Sequence, residues 1–441
     1  MADNSISQID GSSIQGTYEI ISAELFTNQD DKNSIDIRGI IDKIIVKESI
    51  YSAGIGVEIR IIDGISLLDS VKLLGNEKIF LILIQKGIDV DIEKKFSVEL
   101  FISNITNFAR PKPGLDAYSF ICVSKHVYSN QFSIMDDGFD KDIGDNIKNI
   151  CRGKLNIPEN LLDIDSGFGT VKGVYPSLKP IEAIRFQMRG ADEYLYFYED
   201  LKGIKHLHAH KDLIKKEPIG EYTTSPFYQN EQGTEANYLE QKKKVLSFSS
   251  NLDVSKLAAS SNGVYSSQTT SLDISIKEHK QQDHRGFKKD LLNKAPTVSK
   301  NAVVFDFADQ PQSKRYYHTV NSKAFDNNNN INKHKDLMYL KESYKHDLNT
   351  HKVRIVTYGN LDVQVGNTIL LLVPPTGQDD NDQILDGYFT GKYIITDITH
   401  NFESDYQTEM TIKKDSFFLD TDENRVIVER VAGGSNERTG V

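Results

Sequence analysis

The stretch "KYIITDITHNF" at residues 392–402, followed by "YQTEMTIKK" at residues 406–414, has an earlier counterpart in the chain. "ELFISNITNF" at residues 99–108 is followed in the same way by "YSFICVSK" at residues 118–125. In both copies an Ile-X-X-Ile-Thr core runs to a Phe, a turn intervenes, and a Tyr opens a returning run. Apolar and polar residues alternate in these runs, which is the period of a half-buried strand. They therefore predict two similar β-hairpins.

A glycine and an apolar strand precede each hairpin, in "LLGNEKIFLILI" and in "VQVGNTILLLV". Gly75 stands nearly as far before Asn104 as Gly366 stands before Asp397. The matched order and spacing predict that one small β module occurs twice. Chance similarity between two unrelated hairpins is the alternative.

The rest of the chain divides by pattern. Six β-rich runs fill the first third and predict a small barrel or sandwich: residues 17–27, 34–49, 56–64, 78–87, 95–108 and 117–128. Residues 177–190 predict a helix begun by a proline and closed by Gly190. Two β-rich runs flank "EDLKG", which predicts a hairpin. Residues 277–336 are polar and weakly periodic, and residues 336–351 are compatible with a short helix.

The predicted fold class is mainly β with α/β portions. It comprises two similar tube-forming β-barrel domains with an inserted α/β domain and a polar insertion in the second barrel. The boundaries are 1–128 for the first tube domain, 129–216 for the α/β domain, 217–276 with 337–420 for the second tube domain, 277–336 for the polar insertion or long loop, and 421–441 for a disordered tail.

Composition excludes several classes of protein. The longest apolar run, "IFLILI", is far shorter than the roughly 20 residues of a membrane-spanning helix, and no signal peptide pattern opens the chain. Two cysteines indicate neither a disulfide framework nor a zinc knuckle. A formal charge of −11 argues against a protein that grips nucleic acid. An acidic wall repels a polyanion, which suits a conduit for DNA better than a binder.

Three histidines stand at alternate positions in "GIKHLHAHKD": His206, His208 and His210. On a strand they would share one face, and His-X-His can supply two zinc ligands. No general-base motif follows them, so we expect the face of a surface or interface strand; a structural metal site is the weaker alternative. The sequence predicts no catalytic residue and no cofactor.

The chain resembles the central baseplate hub protein of T-even-like contractile-tailed phages, which is related to phage late-control hub proteins and to the hub part of type VI secretion spikes. The resemblance lies in the succession of "SIYSAGIGVEIRIIDG", "YFYEDLKGIKHLHAHKDLIKKEP", "VTYGNLDVQVGNTILLL" and "GKYIITDITHNF", over roughly residues 17–420. Residues 277–336 and the tail after Asp420 depart from the family pattern.

The resemblance implies a homotrimer in which two tube-like β domains per chain form a pseudo-sixfold ring. Such a ring joins the tail tube, or tube-initiator proteins, to the central spike protein and leaves a channel for the tape-measure protein and DNA. We expect a non-enzymatic virion protein of the tail baseplate, assembled in the host cytoplasm and not inserted in a membrane. The alternatives are a virion-associated cell-wall or polysaccharide hydrolase, and a peripheral baseplate glycan-binding module.

Overall fold

A computed structural model describes a large part of the chain. The described residues are 17–27, 30–73, 75, 77–85, 94–224, 242–252, 266–274, 276–285, 314–320, 348, 351–374, 385–386 and 388–414. Among them, no helix is both long enough and apolar enough to cross a membrane.

The first third of the chain is built of strands, as predicted. They are β1 (Tyr18–Thr27), β2 (Asp30–Asp36), β3 (Ile41–Ser49), β4 (Gly56–Asp63), β5 (Lys78–Gln85), β6 (Lys94–Lys112) and β7 (Leu115–Ser124), with a short helix α1 (Leu67–Ser70) before β5. Burial alternates along them; in β4, Val57, Ile59 and Ile61 point inward. The run at 34–49 is two strands rather than one, because a turn at Arg38–Ile40 interrupts it. The Asp36 carboxylate holds that turn by accepting the Arg38 backbone N–H at 3.0 Å.

The middle of the chain combines short strands with helices. The elements are α2 (Lys125–Ser129), β8 (Gly138–Phe139), α3 (Ile143–Gly153), β9 (Leu162–Ile164), β10 (Gly173–Val174), α4 (Pro180–Gly190), β11 (Leu195–Glu199), β12 (Lys205–Ala209), α5 (His210–Lys215) and β13 (Pro218–Thr223). The predicted proline-started helix is α4, and the predicted hairpin is β11 with β12. Strand β9 pairs in parallel with β12 to complete a three-stranded sheet. Helix α3 begins where the Asp142 side chain accepts the Gly144 N–H.

The last part of the chain returns to strands. They are β14 (Val245–Leu252), β15 (Ser266–Asp273), β16 (Glu278–Arg285), β17 (Lys314–Val320), β18 (His351–Tyr358), β19 (Thr368–Leu372), β20 (Gly391–Phe402) and β21 (Tyr406–Lys414). The main sheet runs in the order β14-β18-β21-β20-β3-β4-β7-β6-β5-β1-β2. Strand β19 pairs with β20 and, in parallel, with β13.

Two halves of this sheet share one strand order. The first is β3-β4-β7-β6-β5 and the second is β14-β18-β21-β20-β19, every neighbouring pair being antiparallel. The strands also follow one another along the chain in the same order in both halves. The predicted repetition of a strand pattern is therefore confirmed, whereas closure of either half into a barrel stays a prediction.

Irregularities in the two halves also match. The register of β6 on β7 shifts between Ile102 and Asn104, and that of β20 on β21 shifts between Ile395 and Asp397. The residue inside each bulge carries a hydroxyl that donates to a carbonyl of the partner strand: Ser103 to Ile121 at 2.9 Å, and Thr396 to Thr411 at 3.2 Å. Ile121 and Thr411 are themselves the partners of Asn104 and Asp397. Because bulges are specific local features, their agreement supports a true repeat.

The segment 277–336, predicted as a polar insertion or long loop, contains two strands in the part that the structure describes, so that part is not a loop. Strands β16 and β17 lie inside it and pair with β15 on both sides. The prediction placed β15 with the second tube domain, but it pairs in this separate three-stranded sheet. Polar side chains suffice for such strands because main-chain hydrogen bonds hold the ladder. The helix predicted at 336–351 lies outside the described residues except for Leu348 and His351, and the tail after Lys414 also lies outside them.

Candidate assembly interface

A seam between β3 and β20 joins the two halves of the main sheet. The first part of β20 pairs with β19, while its second part, Asp397 to Phe402, pairs antiparallel with Ser49 to Ile44 of β3. The Ser49 hydroxyl also donates to the Asp397 carboxylate at 2.7 Å. The seam is therefore a continuous ladder of main-chain hydrogen bonds between two similar modules.

A buried polar group fixes this seam. The Glu48 carboxylate lies 3.0 Å from His400 Nε2, and both side chains are fully buried. The same carboxylate accepts the Leu201 N–H, and His400 Nδ1 lies 2.8 Å from the Tyr406 hydroxyl. Burial raises the pKa of Glu48, an effect that its contact with His400 opposes. Since buried polar groups are costly unless paired, this arrangement specifies one register of β3 on β20.

The part of β6 that matches the seam segment of β20 has a different environment. Strand β5 covers β6 only as far as Phe101. From Asn104 onward, no strand among the described residues pairs with that edge of β6. Phe108, which ends the first sequence motif, is 56% exposed, whereas Phe402, which ends the second, is 1% exposed. The module that lacks a neighbour at this edge thus shows an exposed aromatic ring.

Strand β14 has the complementary edge. Strand β14 corresponds to β3, because β14 pairs with β18 in the second half as β3 pairs with β4 in the first. The register shifts near the start of both strands, between Val245 and Ser247 in β14 and between Ile41 and Lys43 in β3. The other edge of β3 is covered by β20. Within the described part of the chain, Thr223 at the end of β13 bridges Lys244 just before β14, but no strand covers the other edge of β14 itself, from Val245 to Leu252. Each chain therefore carries one exposed edge that corresponds to β3, on β14, and one that corresponds to β20, on β6.

A second buried cluster attaches the middle α/β part to the first module. The Glu199 carboxylate, at the end of β11, accepts the Ile55 N–H at 3.0 Å and the Ser124 hydroxyl at 2.8 Å. Lys205 lies 2.5 Å and His126 lies 3.3 Å from the same carboxylate. Burial lowers the pKa of Lys205, and the Glu199 charge opposes that effect. This cluster holds the β11–β12 hairpin against the loop between β3 and β4.

Sequence reasoning missed both acidic residues. A signal for Glu48 was available, because it continues the inward-facing positions of Ile44 and Val46 along β3. The partners of Glu48 and Glu199 lie far away in sequence, so spacing does not reveal them.

The three histidines of the sequence motif do not stay together. His206 and His208 project from one face of β12, beside Asp163 and Asp165. His210 lies beyond the end of the strand, at the start of α5, and is buried with its Nδ1 3.1 Å from the Tyr196 hydroxyl. The prediction of a shared strand face is therefore right for two histidines and wrong for His210.

Two solved structures have a similar fold over nearly their whole length. One is a tail protein from Neisseria meningitidis MC58, with a TM-score of 0.52 at 9% sequence identity over 92% of this chain and 99% of that one. The other is the 43 kDa tail protein of prophage MuSo2 from Shewanella oneidensis, with a TM-score of 0.51 at 7% identity over 89% of this chain and 98% of that one.

The chain has the fold of a phage tail protein. This confirms, at the level of the fold, the likeness to phage tail proteins that the sequence motifs indicated. No family model and no curated protein sequence matches the chain. The mainly β class with a large antiparallel sheet and some helices is also confirmed.

Proposed function

We propose that the chain is a structural baseplate hub of a contractile phage tail, whose copies join head to tail into a closed ring. The observation that carries this proposal is the seam between β3 and β20, together with the edges of β14 and β6 that no described strand covers. Strand β14 has the same kind of neighbouring strand and the same register shift as β3, and β6 has those of β20. Strands β3 and β20 are the two that meet at the seam. The tail-protein fold supports the same conclusion.

The seam within the chain supplies the template for contact between chains. An unpaired edge strand presents N–H and C=O groups that another strand can complete. In the proposed ring, β14 of one copy pairs antiparallel with β6 of the next, as β3 pairs with β20. Ile398 faces Glu48 and Thr399 faces Lys47 at the seam, so Ile105 would face position 252 and Thr106 would face position 251. Such pairing would also cover Phe108.

The number of copies follows from what the ring must join. A head-to-tail interface gives a closed ring or an open filament, depending on the rotation that it imposes. Three chains with two modules each would give six similar modules, which fit the hexameric tail tube on one side and the trimeric spike on the other. These partners, and a tape-measure protein in the channel, are inferred from the family resemblance. The net charge of −11 suits a channel through which DNA passes without specific binding.

Native mass measurement of the purified chain, combined with low-resolution electron microscopy, tests this proposal. We expect a trimer seen as a threefold ring with a central hole. A species that stays monomeric at every concentration, or an open filament, would contradict it. Release of fragments from purified cell walls would favour the hydrolase alternative instead.

A further inference from the structure

A cluster of two histidines and three aspartates lies on the middle three-stranded sheet. His206 and His208 point from the same face of β12, and Asp163 of β9 stands directly opposite His206 in the parallel register. One ligand atom each from Asp163, His206 and His208 lie within 4.8 Å of one another. The fold thus brings a carboxylate distant in sequence to the His-X-His pair.

The contact distances place one oxygen between the two imidazoles. Asp163 Oδ2 lies 2.8 Å from His206 Nδ1 and 3.1 Å from His208 Nε2. Ligands about 2.0 Å from a tetrahedral zinc ion are themselves about 3.3 Å apart, so small outward movements of these atoms would create a coordination site. The histidine side chains are 14% and 12% exposed, but Asp163 is 52% exposed. The site is therefore anchored on the protein side and open to solvent on the other.

The outer nitrogen of each imidazole has its own carboxylate. His206 Nε2 lies 3.2 Å from Asp200, and His208 Nδ1 lies 2.8 Å from Asp165. Asp200 is buried and accepts the backbone N–H groups of Lys202 and Ile204, so its position is fixed. A carboxylate on the outer nitrogen is the usual support of a metal-binding histidine, because it orients the ring and directs the lone pair of the other nitrogen toward the metal.

The charges around the cluster also favour a cation. Asp163, Asp165 and Asp200 surround the two imidazoles, and Lys216 is a cation close to Asp163 and Asp165. A divalent ion would neutralise the remaining negative charge. Imidazole ligands suit zinc and similar transition metals rather than magnesium or calcium.

We propose that Asp163, His206 and His208 bind one divalent transition metal ion, zinc in the first place, and that this ion ties β9 to β12. The rival explanation is that both histidines carry protons and form ion pairs with the aspartates, without any metal. A bound ion would join residues 43 positions apart in the chain and would therefore stabilise the folded α/β part.

Metal titration of the full chain, produced without a histidine tag and stripped with a chelator, tests the proposal. We expect one zinc ion per chain by elemental analysis, a rise in unfolding temperature, and visible absorption bands of a low-symmetry site when cobalt replaces zinc. His206→Gln with His208→Gln should abolish binding. The matched control is His279→Gln, because His279 is an exposed strand histidine elsewhere, and it should leave binding unchanged.

Asp163→Asn provides a second variant that keeps the shape of the side chain. It should weaken zinc binding by about ten-fold or more while the protein stays folded, which separates loss of a ligand from loss of structure. A wild-type chain that binds no zinc or cobalt would overturn the proposal. Zinc binding that survives the double histidine variant, or equal affinity for magnesium, would overturn it as well.

Discussion

Glu48 and Glu199 each place a buried carboxylate where two parts of the chain meet. Glu48 contacts His400 and the Leu201 N–H, and Glu199 contacts Lys205 and the Ile55 N–H. Leaving one partner of a buried ion pair alone costs several kcal/mol, whereas the intact pair adds little net stability. These residues therefore specify how the hairpin and the two modules fit together, more than they stabilise the fold.

Buried His210 should make the protein sensitive to acid. Burial lowers the pKa of His210 from 6.5 to about 4. The folded state keeps the imidazole neutral, while the unfolded state takes up a proton below about pH 6.5. Protonation of His210 therefore leaves the free energy of unfolding unchanged above about pH 6.5. As the pH falls from there toward 4, it lowers the free energy of unfolding by about 3 kcal/mol. Urea unfolding of wild type and His210→Gln across this range measures it.

The comparison should show a difference that changes with pH. Relative to His210→Gln, the wild type should lose stability on acidification, because the variant has no imidazole to protonate. His279→Gln, at an exposed position, should track the wild type throughout. A wild type and a His210→Gln variant that lose stability in parallel would show that His210 does not cause the acid sensitivity.

At the scale of the elements, the sequence predicted the hairpins but not every matching strand. β6–β7 and β20–β21 were found because their buried faces repeat the same residue types. The match of β14 with β3 was missed, since β14 reads "VLSFSSNL" and shares little with "IDKIIVKES". The physical reason lies at the seam: Ile44 and Val46 are buried, whereas Phe248 is half-buried and Ser250 is exposed at an edge. An edge strand need not carry the apolar pattern of a covered one.

Substitution of the two phenylalanines that end the repeated motifs, Phe108 and Phe402, distinguishes an effect on assembly from an effect on folding. Phe108→Lys changes a side chain that is 56% exposed, so it should alter the free energy of unfolding of the single chain by less than about 1 kcal/mol. The added charge should nevertheless block strand pairing at the β6 edge, because lysine on an edge strand disfavours association. Sedimentation velocity should show loss of the ring, with circular dichroism unchanged.

Phe402→Lys is the counterpart in the second module and should behave in the opposite way. Phe402 is 1% exposed and stacks on Tyr406, with ring centroids 4.2 Å apart. Burying an ammonium group there should cost more than about 3 kcal/mol and unfold or aggregate the chain. A Phe108→Lys protein that still forms the wild-type ring would argue against the β6 edge as the interface.

At the scale of the whole molecule, one interface design is used within the chain and, by our proposal, between chains. The described residues form three hydrophobic cores beneath it: one for each half of the main sheet, and one for the helices and the β9–β12–β11 sheet. The first core includes Phe402 and Tyr406 from the second half, so the seam is continuous with a core. A chain whose own halves pair in this way requires no new type of contact to form a ring.

Cysteine cross-linking tests the register of the ring directly. At the seam, Thr399 and Lys47 are partners on the more exposed face, and Thr106 and position 251 should be their counterparts between copies. Antiparallel partners hold their Cβ atoms about 5 Å apart, close enough for a disulfide after small adjustments. Thr106→Cys with Asn251→Cys should therefore give covalent trimers on non-reducing gels. The native Cys122 and Cys151 are buried and should not contribute.

Lys47→Cys with Thr399→Cys should form a disulfide within one chain, which controls for the reactivity of the introduced cysteines. Thr106→Cys with Ser249→Cys, two residues out of register, should cross-link poorly. A ladder of ever larger species would indicate an open filament, because only a closed head-to-tail ring ends at a fixed number of chains.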